Sequence, residues 1–286
     1  MVTKSYVTTI KELRMPKKYI LYSILYGITT LIVPLSVQFL VNNLALSGIW
    51  INIFGFIIII GAGLTISLLL RYSQIVLNEN LQRELFLSEI SKWKTEIVEK
   101  NRVLFMEIFF ATKSFSKSFT SLIEIFLVTF FGIVVMMTFH PAFLILAIIT
   151  GLTLYQIRES TKPAIESSIE ESNQKYELFK FARSGINIGQ KEIDNYMANR
   201  HEKFKFISSN TIKIFILFVV GQLLLLGGGS WLIQINQLSI GQLVSAEIIF
   251  SGITVALNKL PSALEALYDF ETNIYKLMKA KGEENE

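Results

Sequence analysis

The sequence predicts an all-α, polytopic membrane protein: six transmembrane helices that run on into two long cytoplasmic helical hairpins. Three observations carry this. Six stretches are long and apolar enough to be spans, at residues 19–41, 50–70, 119–139, 142–156, 214–233 and 240–260; a spanning helix needs about 20 mostly apolar residues. The basic residues crowd onto alternate connections. The two long polar connections repeat their apolar residues every three or four positions, the helical period.

Composition agrees. Of 286 residues, 51% are hydrophobic and only 17% charged, against roughly a quarter charged in soluble domains. The mean hydropathy is +0.48. A soluble exterior with so few charges would expose large apolar patches. Disorder and low-complexity linkers are excluded by the same figures. With no Cys, a disulfide scaffold and any thiolate metal site are excluded too. The first span is too long, and starts too far in, for a cleavable signal peptide. The fourth is a short apolar run that continues into a polar helical pattern.

The 27 Lys and Arg divide into four groups. Five precede the first span, eight lie between Arg71 and Lys117, ten between Arg158 and Lys213, and four are Lys259, Lys276, Lys279 and Lys281. The connections at 42–49, at His140-Pro141 and at 234–239 have none. Cytoplasmic loops are the ones that carry Lys and Arg, so both termini are expected in the cytoplasm. The net charge of +4 is therefore read as topology, helped by anionic lipid headgroups, and not as a nucleic-acid signal.

Residues 1–18 form the cytoplasmic N-terminus. Tyr6, Val7, Ile10 and Leu13 share one helical face there, which predicts a helix lying in the membrane interface. Residues 19–278 hold the spans and their extensions at 77–117 and 157–213, and 279–286 form a charged tail. Leu77, Leu81 and Leu85, then Phe86, Ile90, Trp93 and Ile97, mark the first extension as amphipathic helix. Ile165, Ile169, Tyr176 and Phe179 do so on one arm of the second, and Ile193, Met197, Phe204 and Ile207 on the other. Its turn is expected at 184–190, where Gly185 and Gly189 supply flexible backbone.

An elbow helix, six spans, two long cytoplasmic hairpins and small external loops resemble the transmembrane domain of a bacterial ABC exporter of the six-helix type. Local stretches carry the resemblance over roughly residues 19–278: LIVPLSVQFLVNNL at 31–44, NLQRELF at 80–86, TFHPAFLI at 138–145, IGQLVSAEIIFSGI at 240–253 and LYDFETNIYKLM at 267–278. The resemblance implies a homodimer, or a heterodimer with a homologous subunit, around a substrate pathway in the inner membrane. Two departures stand out. No G-x-x-x-x-G-K-[ST] occurs in the sequence, so no residue here cradles ATP phosphates; ATP and Mg are expected on a separate nucleotide-binding subunit. The longer hairpin is shorter than the family usually shows, with a tip of only RSGINIGQ at 183–190. The ATPase-docking candidates are Lys94, Lys100, Arg102, Arg183, Gly185 and Gly189.

Charges inside a span are costly and default to functional hypotheses. Glu247 is the deepest. It fits a place on a substrate path, a cation partner, a proton acceptor, or an interhelical tie to Gln222. Glu124, about one turn into the third span, fits a path residue or a hydrogen bond to a neighbouring helix. Arg71 sits at the cytoplasmic end of the second span, where a long side chain can snorkel to the interface, and Lys259 lies just before Pro261 at the inner end of the sixth. Pro34 and Pro261 are expected to kink the first and sixth spans, and such kinks can serve as hinges. The run Gly227–Gly229 reads as close packing or a helix end, and Glu170-Glu171 as a solvated face. His140 and His201 fall on opposite sides, so they share no metal site, and no catalytic triad can be assembled.

The leading expectation is a transport subunit without enzymatic activity of its own. The alternative is an exporter-like membrane protein acting as scaffold, sensor or regulator. A secondary transporter using Glu247 as a proton site is a third reading, and no internal repeat marks it.

Overall fold

In hydrocarbon, where water satisfies no backbone group, a spanning chain must be helix or closed barrel. The computed structural model, which describes residues 14–45, 53–99, 103–185 and 189–281, is helical through all six apolar stretches, with no strand among the described residues. The first span is built from helices Arg14–Thr29 and Ile32–Leu40 and a π-helical turn, Val41–Ala45. The second is one helix, Ile53–Glu99, and the third another, Val103–Phe139. A 3-10 turn, Pro141–Phe143, leads to the fourth span, helices Leu144–Glu159 and Thr161–Arg183. The fifth is Gln190–Gln234, and the sixth joins Ile240–Leu257 to Leu260–Lys281. The interfacial helix expected before residue 14 lies outside the described residues.

Three spans are broken, each just upstream of a proline. Pro34 has no N–H to offer the Thr30 carbonyl, and the helix breaks at Thr30–Leu31. Pro163 follows the break at Ser160, and Pro261 the break at Asn258–Lys259. Side chains take up part of the slack: the Thr30 hydroxyl donates to the Gly27 carbonyl at 2.6 Å, and Ser160 donates to Ile157 at 2.8 Å. The unbroken helices are long. At 1.5 Å per residue, the 47 residues of the second span and the 45 of the fifth each extend about 70 Å. That is more than twice a hydrocarbon thickness of roughly 30 Å.

The short turns have specific chemistry. His140 Nδ1 accepts from the Ala142 N–H at 3.1 Å, which starts the 3-10 turn. After the fifth span, Gln237 N–H bonds the Leu232 carbonyl and Asn236 N–H the Ile233 carbonyl. This is a Schellman termination with Asn236 at φ 57 in the left-handed position. Ser239 and Gln242 then form a reciprocal capping box at the start of the sixth span.

The third and sixth spans form the centre. The third packs on the first, second and sixth; the sixth also contacts the first and fifth; the fourth and fifth pair as a hairpin. One cluster of buried side chains lies among the spans, including Met136, Leu225, Phe250 and Leu257. A second lies in the extensions, where Ile108, Ala111, Phe270, Ile274 and Leu277 meet Phe86 and Ile90. Close approach between spans five and six uses glycine. A Cβ on Gly221 would strike the Phe250 ring, and one on Gly229 would strike Leu243, whereas Gly227 and Gly228 face open space. Thus only one residue of the glycine run is a packing site.

Large apolar side chains cover the outside of the spans, with Phe54, Ile59 and Leu223 each at least 70% exposed. In water this surface would be untenable; in a bilayer it is the lipid face. The chain is a multi-pass membrane protein by this architecture. The same exposure continues along the long hairpin: Phe179, Met197 and Phe204 are exposed on arms that carry many charges. The apolar stripe of this hairpin is therefore not buried within one copy of the chain.

Candidate functional site: polar clusters between the spans

Two clusters interrupt the apolar interior. The first lies between spans five and six, toward the short-loop end. The tight turn between these helices and the two glycine contacts set their antiparallel register, which places Gln222 beside Glu247. Gln222 Nε2 donates to Glu247 Oε1 at 2.8 Å, and Ser251 Oγ lies 3.4 Å from the same oxygen. Both residues are half-buried. Glu247 Oε2 and Gln222 Oε1 are buried and without a hydrogen-bond partner among the described residues. An acceptor left so in a protein interior costs free energy. Two unpaired oxygens on adjacent side chains suit a proton, a cation or a cargo donor group.

The second cluster lies at the opposite, charge-rich end of the spans. Glu124 receives two cations: Arg71 Nη1 at 2.7 Å on Oε2 and Lys259 Nζ at 2.8 Å on Oε1. Its side chain is 12% exposed, against 37% for Arg71 and 48% for Lys259. Arg71 also donates to Gln74 Oε1 at 3.2 Å, and Gln74 Nε2 donates to Ser23 Oγ at 3.0 Å. The Arg71 guanidinium lies 5.5 Å from the centroid of the Tyr26 ring, within cation–π range. The network therefore runs from Ser23 on span one through Gln74 and Arg71 on span two and Glu124 on span three to Lys259 on span six. A network that spans elements in this way specifies one packing arrangement, provided its members are satisfied.

Beyond the spans, the long hairpin is tied to the sixth-span extension. Lys203 Nζ lies 2.9 Å from Asp269 Oδ1 and 3.3 Å from Glu171 Oε2, with its side chain 11% exposed. Burial pulls the lysine pKa down, but the two carboxylates more than offset this and hold it above the ordinary lysine value. Thr272 adds a hydroxyl contact to Ser168 at 3.2 Å. Glu171 is thus a paired group in a half-buried setting, and the solvated reading of the Glu170-Glu171 pair fails for this member. Lys276 Nζ lies 3.5 Å from Glu107, between the sixth-span and third-span extensions.

Glu247 and Gln222 meet, while Glu124 sits in a separate cluster at the other end of the spans. Arg71, expected to snorkel, turns to Glu124, and so does Lys259. Pro34 and Pro261 each follow a helix break, and the second break carries Lys259. Gly185 adopts φ +69 after the helix ending at Arg183, and Gly189 is the N-cap of the helix beginning at Gln190. Lys100 and Arg102 lie outside the described residues. Lys94 and Arg183 lie on described helices, with their side chains outside the description. Among the described residues, no group of His, Asp and Glu is arranged to hold a metal ion. The S-x-x-Q pattern at 239–242 is a sequence signature of the capping box that starts the sixth span. No family model matches the chain, and no curated protein matches it.

Proposed function

We propose that the chain is the transmembrane subunit of an ATP-driven ABC-type exporter in the bacterial inner membrane, with both termini cytoplasmic. It forms the substrate pathway as a homodimer, or with a homologous subunit. A separate nucleotide-binding subunit supplies ATP and Mg. The observation that carries this reading is the length of the second-span and fifth-span helices. A helix of about 70 Å without a break is a stiff lever. Its distal end lies well outside the bilayer, where a soluble motor can push on it. The long hairpin is tied through Lys203, about 20 Å from its tip along the second arm, to the sixth-span extension, so displacement of the hairpin would be passed toward the helix break at Lys259 and, further along, toward Glu247. ATP binding to a partner that prefers one arrangement would then shift the spans as rigid bodies between two access states. The exposed Phe179, Met197 and Phe204 support a second copy, because an apolar stripe in water calls for cover.

One observation favours a second reading. Only six residues, 184–189, separate the arms of the long hairpin, too few for a docking helix across the tip. A scaffold or regulator built on the same plan needs no such contact. Gentle affinity purification from native membranes, with mass spectrometry of stoichiometric partners, separates the two. A partner carrying a P-loop supports the transporter. Recovery of this chain alone, or of a partner without a P-loop, favours the scaffold. The transporter reading also expects a dimer in mild detergent, and a stable monomer at high protein concentration counts against it.

A further inference from the structure

Beside the Arg71–Glu124 pair, a cleft of about 380 Å³ opens between spans one, two and three at their charge-rich end. Its cations are Arg71, Lys113 and Lys117, and its one carboxylate is Glu124. Three positive charges thus face one negative charge, which is itself shared with Lys259 outside the cleft. Lys113 and Lys117 are exposed and make no ion pair among the described residues. They are four residues apart on one helix and so stand on one face. The floor, by contrast, is internally satisfied. Gln74 donates to Ser23, the Ser116 hydroxyl to Asn78, and the Thr120 hydroxyl to the Ser116 carbonyl. Charge at this site is free only at the rim.

The depth of the cleft decides what that charge meets. Arg71 directly follows one apolar span and Lys117 lies two residues before another, so the rim stands at the bilayer surface. Ile75 lines the same cleft and is 61% exposed. Leu64, Leu68 and Tyr72 share its helical face at spacings of three and four, and all are exposed. An apolar track therefore leads from the cationic rim along the second span into the hydrocarbon.

We propose that this cleft binds the phosphate headgroup of an anionic phospholipid, with Lys113 and Lys117 on the phosphate and the Leu64–Leu68–Tyr72–Ile75 face against an acyl chain. Basic pockets between spans at the membrane surface hold such headgroups, and a free phosphate would use the cations but not the apolar track. Bound lipid would pack spans one to three together at the level where Glu124 joins them to the sixth span. The proposal does not depend on transport, on a nucleotide-binding partner or on which side of the membrane this end faces.

The test is native mass spectrometry of the full chain in mild detergent, titrated with phosphatidylglycerol, with phosphatidylcholine and with inorganic phosphate. Phosphatidylglycerol is expected to be retained in preference to phosphatidylcholine, and millimolar inorganic phosphate is expected not to displace it. Lys113→Gln with Lys117→Gln should weaken retention about twenty-fivefold, taking each basic residue near an anionic surface as worth roughly fivefold. Lys113→Arg with Lys117→Arg should preserve it. A control pair, Lys162→Gln with Lys191→Gln, removes two exposed lysines of the long hairpin and should change nothing. Both lysines of the cleft are exposed and without an ion pair among the described residues, so the variants keep the fold, which the elution profile checks. Equal retention of the two lipids, or full retention by the Gln pair, overturns the proposal. Displacement by inorganic phosphate makes the cleft a free-anion site and overturns it as well.

Discussion

Lys259 Nζ lies 2.8 Å from Glu124 Oε1, across 135 residues of chain. It arrives there because the sixth span breaks at Asn258–Lys259, which turns the lysine out of the helix and toward the third span. Arg71 occupies the other oxygen at 2.7 Å. One carboxylate therefore ties three helices at the end of the membrane where they leave it.

Glu124→Gln removes the charge that both cations share. The amide still accepts one hydrogen bond, but two cations are left facing each other without a counter-charge. The expected loss is about 1.5–3 kcal/mol, the range for hydrogen bonds to charged groups, and partial exposure of both cations keeps it below the cost of breaking a fully buried pair. Thermal unfolding in detergent measures it. Glu124→Gln with Lys259→Met should lose less than the sum of the two single changes, because the removed partners are coupled. Strict additivity would show that the pair does not interact.

The spans were legible in the sequence because hydrocarbon imposes length and composition on any helix that crosses it. The hairpin tip at 184–190 was legible because Gly185 and Gly189 punctuate a helical pattern. The Gln222–Glu247 contact was legible too, since a six-residue turn between adjacent antiparallel helices leaves little freedom of register. The partners of Glu124 were not. They lie 53 and 135 residues away, and only the packing of three spans brings them together. The Lys203 tie was missed for the same reason. Glu171 looks solvated until the sixth-span extension lies down beside it.

Lys203→Met tests that tie and its pH dependence. The folded-state pKa of this lysine is raised, so its contribution to stability is fully present below the unfolded value of about 10.4 and is lost as pH rises through the higher folded value. The difference in melting temperature between wild type and variant should be flat from neutral pH to about pH 10 and shrink above it. A difference that grows with pH would contradict the arrangement.

Gly221→Ala and Gly227→Ala should part company. The first puts a methyl group into the Phe250 ring, which is fully packed, and overpacking of this kind costs about 1–3 kcal/mol. The second points into open space and replaces a poor helix former, so it should be neutral or stabilising by up to about 1 kcal/mol. Equal melting temperatures for the two variants would mean that Phe250 does not seat on Gly221.

Glu247→Gln separates a pathway residue from an interhelical tie. The substitution is isosteric and keeps an oxygen to accept from Gln222 Nε2, now 2.8 Å away, so assembly and melting temperature should hold. What it removes is the negative charge and the capacity to exchange a proton at Oε2, the oxygen without a partner. If the chain is the proposed transport subunit and Glu247 serves its substrate path, the ATPase rate of the complex purified with its nucleotide-binding partner should become insensitive to cargo while the oligomeric state is unchanged. Gln222→Leu supplies the other arm. It strips the 2.8 Å hydrogen bond from the carboxylate, and the expected loss is about 1–3 kcal/mol of stability. A stable Gln222→Leu protein would remove the structural role of the pair. A Glu247→Gln protein with unchanged coupling would remove the functional one.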